Sequence, residues 1–481
     1  LGDKLMRGAL GDDYVDKLRA LYEGRIPGQS DLCCYWFEKA RAQIAGGQCD
    51  RAGLLATQGI RGEANRQVLR RIKETGEIFF AVSDRAWILD GAAVHVAMVG
   101  FDDGQQERRT LDGKRVQEIH SNLAGYEIDI TEATKLPDHG DLGFIGTTKK
   151  APLDIDEELA IGMLGCPNPS GLPNSDVILP YLNGRDVLQV NQRRFIIDFP
   201  PRMSFTQAAQ YEAPFEYVKR EVLPQRRNHR ERVQREYWWR LARPCPDLME
   251  AMSNAERVCV TPVVSKHRVF VWLSPPVNPD HKLLVLPYAG DYLFGLLQSA
   301  VHETWARAQG TQVRDRGSGF QYTPTTCFQT FPFPWPPGQE PDDSPLVEAV
   351  ADAARELNEL RENWLNPPDW TTTEVLEFPG SVDGPWARYV HDPNEDGIGT
   401  VRYPRVVDNG KMPSQLKRRT LTNLYNERPT WLENAHRALD EAVFAAYSAA
   451  TGDPAWTPEM TDEDILEQLL SLNLQRAEQT R

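Results

Sequence analysis

The 481-residue chain has 41% hydrophobic and 26% charged residues, a balance typical of a folded globular protein. No apolar run approaches the ~18 residues that a membrane span needs, and the net charge of −15 argues against a protein that coats nucleic acid regardless of sequence. The seven cysteines form neither a CxxC pair nor a zinc-spaced cluster, so we expect no metal, no membrane partner and reduced thiols in the cytoplasm.

Residues 1–150 are predicted to alternate between helices and strands. Helical spacing of apolar residues predicts helices at 14–22, 34–44 and 63–74. Short runs with few charges predict strands at 52–57, 78–82 and 93–99. Apolar strands separated by helices indicate a sheet that helices cover on both faces.

Residues 151–340 contain more proline and aromatic residues and fewer predicted helices. Strands are predicted at 194–198, 258–261, 268–272 and 283–286. The stretch 208–243 is predicted to be mostly helical, with Pro214 and Pro224 as boundaries, and a further helix is predicted at 292–308. The proline-rich run at 331–337 can continue neither a helix nor a central strand, so it marks a boundary or a strap over another domain.

Residues 341–481 are acidic and rich in predicted helices, which lie at 345–364, 431–449 and 462–477. The segment 378–410 is rich in Gly, Pro and Asp and is predicted to be a long loop. The expected fold is therefore an α/β region, followed by a mixed α+β region and a helical C-terminal region.

The charge is distributed unevenly over these regions. Between Arg185 and Arg243, thirteen basic residues stand against seven acidic ones, whereas the remainder of the chain is strongly acidic. One basic stretch in an acidic chain suits a protein that applies a single face to DNA. A solvated helix whose charges pair with one another is the alternative, and charge alone leaves it open.

Several short sequences resemble the end of an amino-methyltransferase domain that acts on adenine. Asp31-Leu-Cys-Cys-Tyr-Trp-Phe-Glu38 resembles the helix after the catalytic strand. Arg51-Ala-Gly-Leu-Leu-Ala-Thr57 and Gln58-Gly-Ile-Arg-Gly62 resemble the next strand and its loop. Trp87-Ile-Leu-Asp-Gly-Ala-Ala-Val94, followed by Val96-Ala-Met-Val-Gly-Phe101, resembles the late strand that closes the pocket for the target base.

Later segments resemble the DNA-reading part of such enzymes. Tyr181-Leu-Asn-Gly-Arg185 and Arg194-Phe-Ile-Ile-Asp-Phe199 resemble the opening of a target-recognition domain, and Phe320-Gln-Tyr-Thr323 with Thr330-Phe-Pro-Phe-Pro-Trp335 resembles its close. Leu421-Thr-Asn-Leu-Tyr-Asn-Glu-Arg-Pro-Thr430 resembles a C-terminal helical module. Taken in this order over nearly the whole chain, these segments resemble the MmeI-like, type IIG restriction–modification family of adenine-specific DNA methyltransferases.

The resemblance implies three domains. Residues 1–150 are expected to be the C-terminal part of a Rossmann-like, S-adenosylmethionine-dependent methyltransferase domain. Residues 151–340 are expected to be the DNA target-recognition domain, and residues 341–481 a helical C-terminal domain.

The resemblance also implies a function. It is methyl transfer from S-adenosylmethionine to the exocyclic amino group of adenine in double-stranded DNA, within a restriction–modification or phage-defence system whose other subunits are further partners. A DNA-binding specificity module without catalysis of its own is the alternative from a different class. An RNA methyltransferase is a third interpretation, which the large second region makes less attractive.

Two family motifs are expected upstream of Asp31: a glycine-rich cofactor loop and an Asn-Pro-Pro-aromatic tetrapeptide that holds the adenine amino group. Leu1-Gly2 resembles the residues just after that tetrapeptide, so we expect residues 1–481 to lack both motifs and not to methylate DNA alone. Asn366-Pro-Pro-Asp369 is similar to the tetrapeptide but has no aromatic residue directly after the prolines. We predict a helix stop there.

Two residues of the first region are candidates for the site. Trp87 is the candidate for the base pocket, where its indole would flank an adenine extruded from the duplex, although packing beside the sheet is the alternative. Arg61 lies in a loop after a predicted strand end, a place where open α/β sheets carry function, and is expected to contact DNA phosphate or substrate.

A first group of polar residues beside the closing motif of the recognition domain is expected to contact DNA. Arg and Gln pair bidentately with guanine and adenine edges, so base readers are expected among them, with phosphate contacts or a solvated loop as the alternative. The group comprises Arg314, Arg316, Ser318, Gln321 and Thr323.

A second group lies in the predicted basic helix and suits phosphates better than bases. Ion pairing with Glu231 and Glu236 is its alternative role. The group comprises Arg226, Arg227, Arg230 and Arg235.

Overall fold

A computed structural model describes residues 2–89, 92–123, 125, 129–139, 142–189, 192–287, 290–312 and 319–479. The fold is mixed α/β, with many helices and several separate sheets. None of the described helices combines the length and the apolar composition that crossing a membrane requires.

The helices are distributed along the whole chain. They are α1 (Asp3–Leu10), α2 (Asp12–Leu21), α3 (Leu32–Ala45), α4 (Glu63–Thr75), α5 (Glu157–Leu164), α6 (Gly184–Leu188), α7 (Phe205–Ala208), α8 (Glu212–Glu221), α9 (Leu223–Arg226), α10 (Arg232–Glu236), α11 (Pro246–Ser253), α12 (Asp291–Gln298), α13 (Ala300–Gln309), α14 (Pro345–Leu365), α15 (Pro413–Leu416), α16 (Leu421–Glu427), α17 (Thr430–Thr451) and α18 (Asp462–Gln479).

The strands vary widely in length. They are β1 (Arg51–Thr57), β2 (Glu77–Leu89), β3 (Ala92–Asp102), β4 (Arg109–Leu111), β5 (Lys114–Val116), β6 (Phe144–Ile145), β7 (Asp154–Ile155), β8 (Ile178–Leu182), β9 (Arg194–Ile197), β10 (Val258–Pro262), β11 (Val264–Ser265), β12 (Val271–Leu273), β13 (Asn278–Pro279), β14 (Leu283–Leu286), β15 (Thr311–Gln312), β16 (Phe320–Gln321), β17 (Thr371–Ser381), β18 (Val390–His391) and β19 (Ile398–Asp408).

The N-terminal sheet has the strand order β1-β3-β2-β4-β5. Strand β3 pairs antiparallel with both β1 and β2, so β1 and β2 run in the same direction. Strand β4 pairs parallel with β2. The carboxyl ends of β1 and β2 therefore lie at the same edge of the sheet, and this edge positions the candidate site.

Helices α3 and α4 cover one face of this sheet, where Phe37, Leu69 and Ile72 join Phe101 of β3 in a buried cluster. The opposite face carries an apolar groove of about 450 Å³, whose lining includes the exposed Leu55 and the neighbouring Phe80. Within the described residues, the sheet that we expected to be covered on both faces is thus covered on one.

A second hydrophobic cluster surrounds the sheet β13-β8-β9-β7. The β17–β19 pair packs against it through Phe378 and Val401, and the Trp386 indole N–H donates to the carbonyl of Ile178 at 3.1 Å. The prediction of a loop at 378–410 is wrong, because β17 and β19 pair antiparallel along their full lengths. Most of the Gly, Pro and Asp residues that suggested a loop lie in the connection between the two strands.

The largest cluster surrounds the sheet β12-β10-β14-β6 and includes residues of α12, α13, α14, α17 and α18. The helix predicted at 292–308 is interrupted at Ser299, whose hydroxyl accepts from the backbone N–H of His302 and starts α13. Helices α12 and α14 approach so closely that a side chain at Gly295 would come within 2.9 Å of Val350. Only a glycine permits this packing without displacement.

The proline-rich run at 331–337 is a strap held by the C-terminal helices. Phe331 and Phe333 are buried beneath them. The Tyr447 hydroxyl of α17 donates to the carbonyl of Pro332 at 2.9 Å, and Arg476 of α18 donates to the carbonyl of Pro334 at 2.7 Å. Of the two alternatives left by the sequence, the buried contacts support the strap.

Candidate nucleic-acid interface

The carboxyl edge of the N-terminal sheet carries two of the predicted site residues. Strand β1 ends at Thr57 and continues into a short 3₁₀ turn that presents Arg61 at this edge. Thr57 pairs with Val96 of β3, and Val96 pairs on its other side with Arg85 of β2. Trp87 stands two residues beyond Arg85, with 37% of its surface exposed. Arg61 and Trp87 therefore lie at the same edge of the sheet.

A three-stranded sheet of the second region abuts this edge. Strands β15 and β16 form a hairpin in which Thr311 pairs with Gln321, and Gln321 pairs on its other side with Val264 of β11. The turn that carries Arg61 lies against β15, since a side chain at Gly62 would come within 2.7 Å of the Thr311 hydroxyl. The turn of Arg61 and the strand of Gln321 therefore lie on either side of β15.

Part of the first predicted DNA-contact group cannot be placed. Residues 313–318 connect β15 and β16, so Arg314, Arg316 and Ser318 lie outside the described residues. Gln321 and Thr323 are described and are half-buried at the base of the hairpin. The base-reading role of the group stays a prediction.

A buried cation, Arg268, supports the hairpin from beneath. Its guanidinium donates to the Thr261 hydroxyl at 2.9 Å and lies 4.7 Å and 4.8 Å from the ring centres of Phe320 and Tyr322. Burial lowers the pKa of Arg268 to about 10, which still leaves it charged at neutral pH. The Tyr322 hydroxyl is hydrogen-bonded at 3.0 Å to His302, whose pKa burial lowers to about 3, so this imidazole is neutral.

A cleft of about 790 Å³ lies between the sheet edge and the second region. Asp112 in its wall accepts hydrogen bonds from the backbone N–H and the hydroxyl of Ser83, at 2.8 and 2.6 Å. The basic side chains of the lining are Arg61, Arg66, Lys114 and Arg307, and the acidic ones are Asp112 and Glu463. Arg307 is paired with Glu303, and the remaining charged side chains still give the lining a positive sum, which favours an anion such as a phosphate.

The structure corrects the phosphate-binding role predicted for Arg226. Its side chain is 2% exposed and donates to the backbone carbonyls of Trp238, Arg240 and Lys149. These bonds link Arg226 of α9 to residue 149, which precedes α5, and to residues 238 and 240, which follow α10. A guanidinium enclosed in this way is structural and does not reach DNA.

The three other arginines of that group, Arg227, Arg230 and Arg235, are exposed. They do not share one basic helix, because α9 ends at Arg226 and α10 begins only at Arg232. Arg235 donates to the carbonyl of His229 at 2.7 Å. Their phosphate-binding role stays a prediction.

Asn366 lies where α14 ends, and its side-chain amide donates to Glu362 at 3.3 Å. The helix stop predicted at Asn366-Pro-Pro-Asp369 is confirmed, because α14 ends at Leu365. The helix that precedes Asn366 packs in the largest cluster, away from the cluster beneath the N-terminal sheet.

Sequence reasoning missed four basic residues of this region. Arg66, Lys114 and Arg307 line the cleft, and Arg268 lies beneath the hairpin. Each is a single residue outside any recognisable motif: Arg66, Lys114 and Arg307 come from three different elements, and Arg268 comes from the connection between β11 and β12. Tertiary packing alone brings them together, so no local pattern could have identified them.

Comparisons with known proteins place this geometry in context. Residues 173–335 match a family model described as the target recognition domain of MmeI. The fold is similar to that of the type IIL restriction–modification enzyme MmeI in complex with DNA, with a TM-score of 0.69 at 16% identity over 97% of this chain. The match covers 55% of the MmeI chain, so this chain spans little more than half of its length.

A second solved structure matches more weakly. The type IIG restriction endonuclease BpuSI matches with a TM-score of 0.26 at 12% identity, over 92% of this chain and 53% of that one. A score this low does not establish a common fold. No curated protein matches the sequence significantly.

Proposed function

We propose that the protein recognises a specific sequence in double-stranded DNA, because residues 173–335 match the model of the MmeI target recognition domain. The observation that carries this proposal is the position of the β15–β16 hairpin. It lies inside the matched domain and beside the turn of Arg61, at the mouth of the positively lined cleft. The proposed base reader and the proposed anion-binding cleft are thereby next to each other.

Strands β15 and β16 are paired antiparallel. The major groove of B-DNA is about 12 Å wide and admits a two-stranded β-ribbon. Gln321, at the base of the ribbon, is of a side-chain type that carries both a donor and an acceptor, the pair that recognises an adenine edge. Arg314 and Arg316 in the connection are suited by side-chain type to guanine. We propose that the hairpin enters the major groove.

The finer proposal is that the whole protein methylates adenine. The methyl group would pass from the sulfonium of S-adenosylmethionine to the adenine amino nitrogen, which loses a proton. Trp87 lies at the sheet edge with its side chain partly exposed, and we propose that its indole flanks an extruded base there. The apolar groove around Leu55 and Phe80 is the kind of sheet face that further polypeptide covers in an α/β domain.

The described cleft does not fit the cofactor itself. S-adenosylmethionine carries a sulfonium cation, whereas Arg61, Arg66 and Lys114 line the cleft. We therefore assign the cleft to DNA and derive no cofactor contact from the residues of this chain. The second candidate function is a specificity module without catalysis of its own.

Selection of duplexes tests the recognition proposal. Full-length protein should enrich one sequence motif from a pool of random duplexes. The Gln321→Ala variant should lose preference at one position of that motif, at a cost of about 1–3 kcal/mol for the lost base contact. Gln210→Ala, at an exposed glutamine of the same domain, should keep the motif. Enrichment of no motif at all would overturn the proposal.

Methyl transfer is tested separately. Full-length protein is incubated with methyl-labelled S-adenosylmethionine and a duplex that contains the enriched motif. Label in adenine supports the methyltransferase, whereas specific binding without label in any base supports the specificity module.

A further inference from the structure

Helix α16 lies beside the sheet that carries the β15–β16 hairpin. The Lys266 ammonium, one residue after β11, donates to the side-chain oxygen of Asn426 at 2.6 Å, and the His267 imidazole shares that oxygen at 2.9 Å. Val264 of β11 in turn pairs with Gln321 of the hairpin. The C-terminal region is thereby attached to the strand next to the proposed base reader.

Helix α6 lies next to α16. The Thr422 hydroxyl of α16 donates to the carbonyl of Leu188, at the end of α6, at 3.0 Å. A side chain at Gly184, where α6 begins, would come within 3.4 Å of the Lys282 carbonyl. That carbonyl accepts from the backbone N–H of Val263 at 2.8 Å. Helices α6 and α16, Lys282 and β11 therefore form one contiguous surface.

Arg185, Lys266 and Lys282 are exposed basic residues in or next to these elements, and Lys417 and Arg418 are exposed in the four residues before α16. We call this set the α16 surface, and it consists of Arg185, Lys266, Lys282, Lys417 and Arg418. Lys266 and Arg185 bond to the neutral side chains of Asn426 and Gln189, which leave their charge in place. Glu427, the acidic residue of α16, offsets part of the total.

Three other exposed basic residues of the recognition domain are paired with acidic neighbours. The pairs are Lys219 with Glu216 at 2.8 Å, Arg220 with Glu221 at 2.7 Å and Arg232 with Glu236 at 2.7 Å. In a chain of net charge −15, the α16 surface is therefore a local source of positive potential that its own salt bridges do not cancel.

We propose that the α16 surface binds the phosphate backbone of DNA beside the bases that the β15–β16 hairpin reads. The proposal depends on the DNA recognition proposed above. An extended residue advances about 3.3 Å, and successive phosphates of one strand advance about 3.4 Å along the duplex. Lys266 is two residues after Val264, which pairs with Gln321, so with the strand along the duplex this offset spans about two phosphate steps.

Such contacts would orient the hairpin as well as add affinity. Phosphate contacts fix the register of a protein on the duplex and carry no sequence information of their own. Because α16 is bonded to the segment after β11, a phosphate held there fixes the depth and angle at which the hairpin meets the groove. An acidic protein partner would also suit the charge, but the hairpin beside it favours DNA.

Salt dependence of binding tests the proposal. Full-length protein, a triple variant (Lys266→Gln, Lys282→Gln, Arg418→Gln) and a control triple variant (Lys219→Gln, Arg220→Gln, Arg232→Gln) are titrated with a 30-bp mixed-sequence duplex at several salt concentrations. The slope of log K against log[salt] should fall by about 0.9 for each lost phosphate contact, about 2–3 for the first triple variant. The control should keep the wild-type slope, and the first variant should still enrich the wild-type motif.

The outcomes separate the two proposals. If the wild-type protein binds duplexes and the first triple variant keeps its slope, the α16 surface is not a phosphate site, and the recognition proposal stands. If the variant instead changes the oligomeric state in sedimentation while the slope is unchanged, the surface binds protein and the inference is overturned. If the wild-type protein binds no duplex, both proposals fail.

Discussion

Asp198 is a carboxyl group enclosed in the segment that matches the recognition-domain model. The side-chain amide of Asn278 donates to it at 2.9 Å, and Thr147 donates to the amide oxygen of Asn278. Burial raises the pKa of Asp198 to about 7, because the charged form loses the hydration that it has in water. The group is therefore protonated in the folded protein at pH values where it is ionised in the unfolded chain.

This difference makes stability depend on pH. Between about pH 4 and about pH 7 the folded state keeps the proton and the unfolded state does not, so the free energy of unfolding should fall as the pH rises through this window. Asp198→Asn should remove that part of the decline and should stabilise the protein relative to wild type at pH 8. Urea unfolding of both proteins from pH 4.5 to pH 8 measures it. Asp396→Asn, at an exposed carboxylate, is the control; a wild-type pH profile for Asp198→Asn would contradict the prediction.

Side-chain type alone does not reveal where an arginine lies. Arg226 and its neighbour Arg227 have the same predicted role, yet Arg226 is enclosed by carbonyls from residues 12, 14 and 77 positions away. Only the folded chain brings those acceptors together. Arg61 could be placed at a functional edge from sequence because a strand end followed by a loop is a local feature. The proximity of Arg61 to Gln321 could not be predicted, because 260 residues separate them in the sequence.

Elements with a long periodic pattern were predictable, and very short ones were not. The predicted strand at 283–286 coincides with β14, and the helix predicted at 345–364 is α14 to within one residue. Strands such as β11, β15 and β16 have two residues each, too few for any period to show. Their pairing is set by tertiary contacts, and these are the strands that build the proposed base reader.

The β17–β19 pair offers a test at the scale of an element. Trp386, in the connection between the strands, is 1% exposed and packs edge-on against Phe378 at 5.0 Å and Tyr403 at 5.1 Å. Trp386→Ala should cost about 3–5 kcal/mol of the free energy of unfolding, because it leaves a cavity and an unpaired carbonyl at Ile178.

Urea denaturation measures this cost. Trp36→Ala is the matched control, because Trp36 is 61% exposed and its removal should change stability by less than about 0.5 kcal/mol. Equal effects of the two substitutions would show that β17–β19 does not stabilise the recognition domain.

At the scale of the molecule, hydrophobic clusters join regions that the sequence divides. The predicted boundaries at 150 and 340 stay predictions, but two clusters contain residues on both sides of position 340. In the largest cluster, Phe294 and Phe331 share a core with Leu439 and Leu469. The residues that match the recognition-domain model end at 335. The match therefore covers only part of the residues that pack together in the largest cluster.

Truncation tests whether this unit is indivisible. A fragment of residues 1–340 contains the entire family match, yet it loses α14, α17 and α18, which cover Phe294, Trp305, Phe331 and Phe333. Each large side chain exposed in this way forfeits about 1.5–3 kcal/mol of burial, and a few such losses equal the 5–15 kcal/mol that stabilises a typical domain. The fragment should therefore aggregate or unfold without a cooperative transition, whereas co-expression with residues 341–481 should restore a soluble complex. A monomeric 1–340 fragment with cooperative thermal unfolding would show instead that the recognition domain folds alone and that the C-terminal helices are only docked on it.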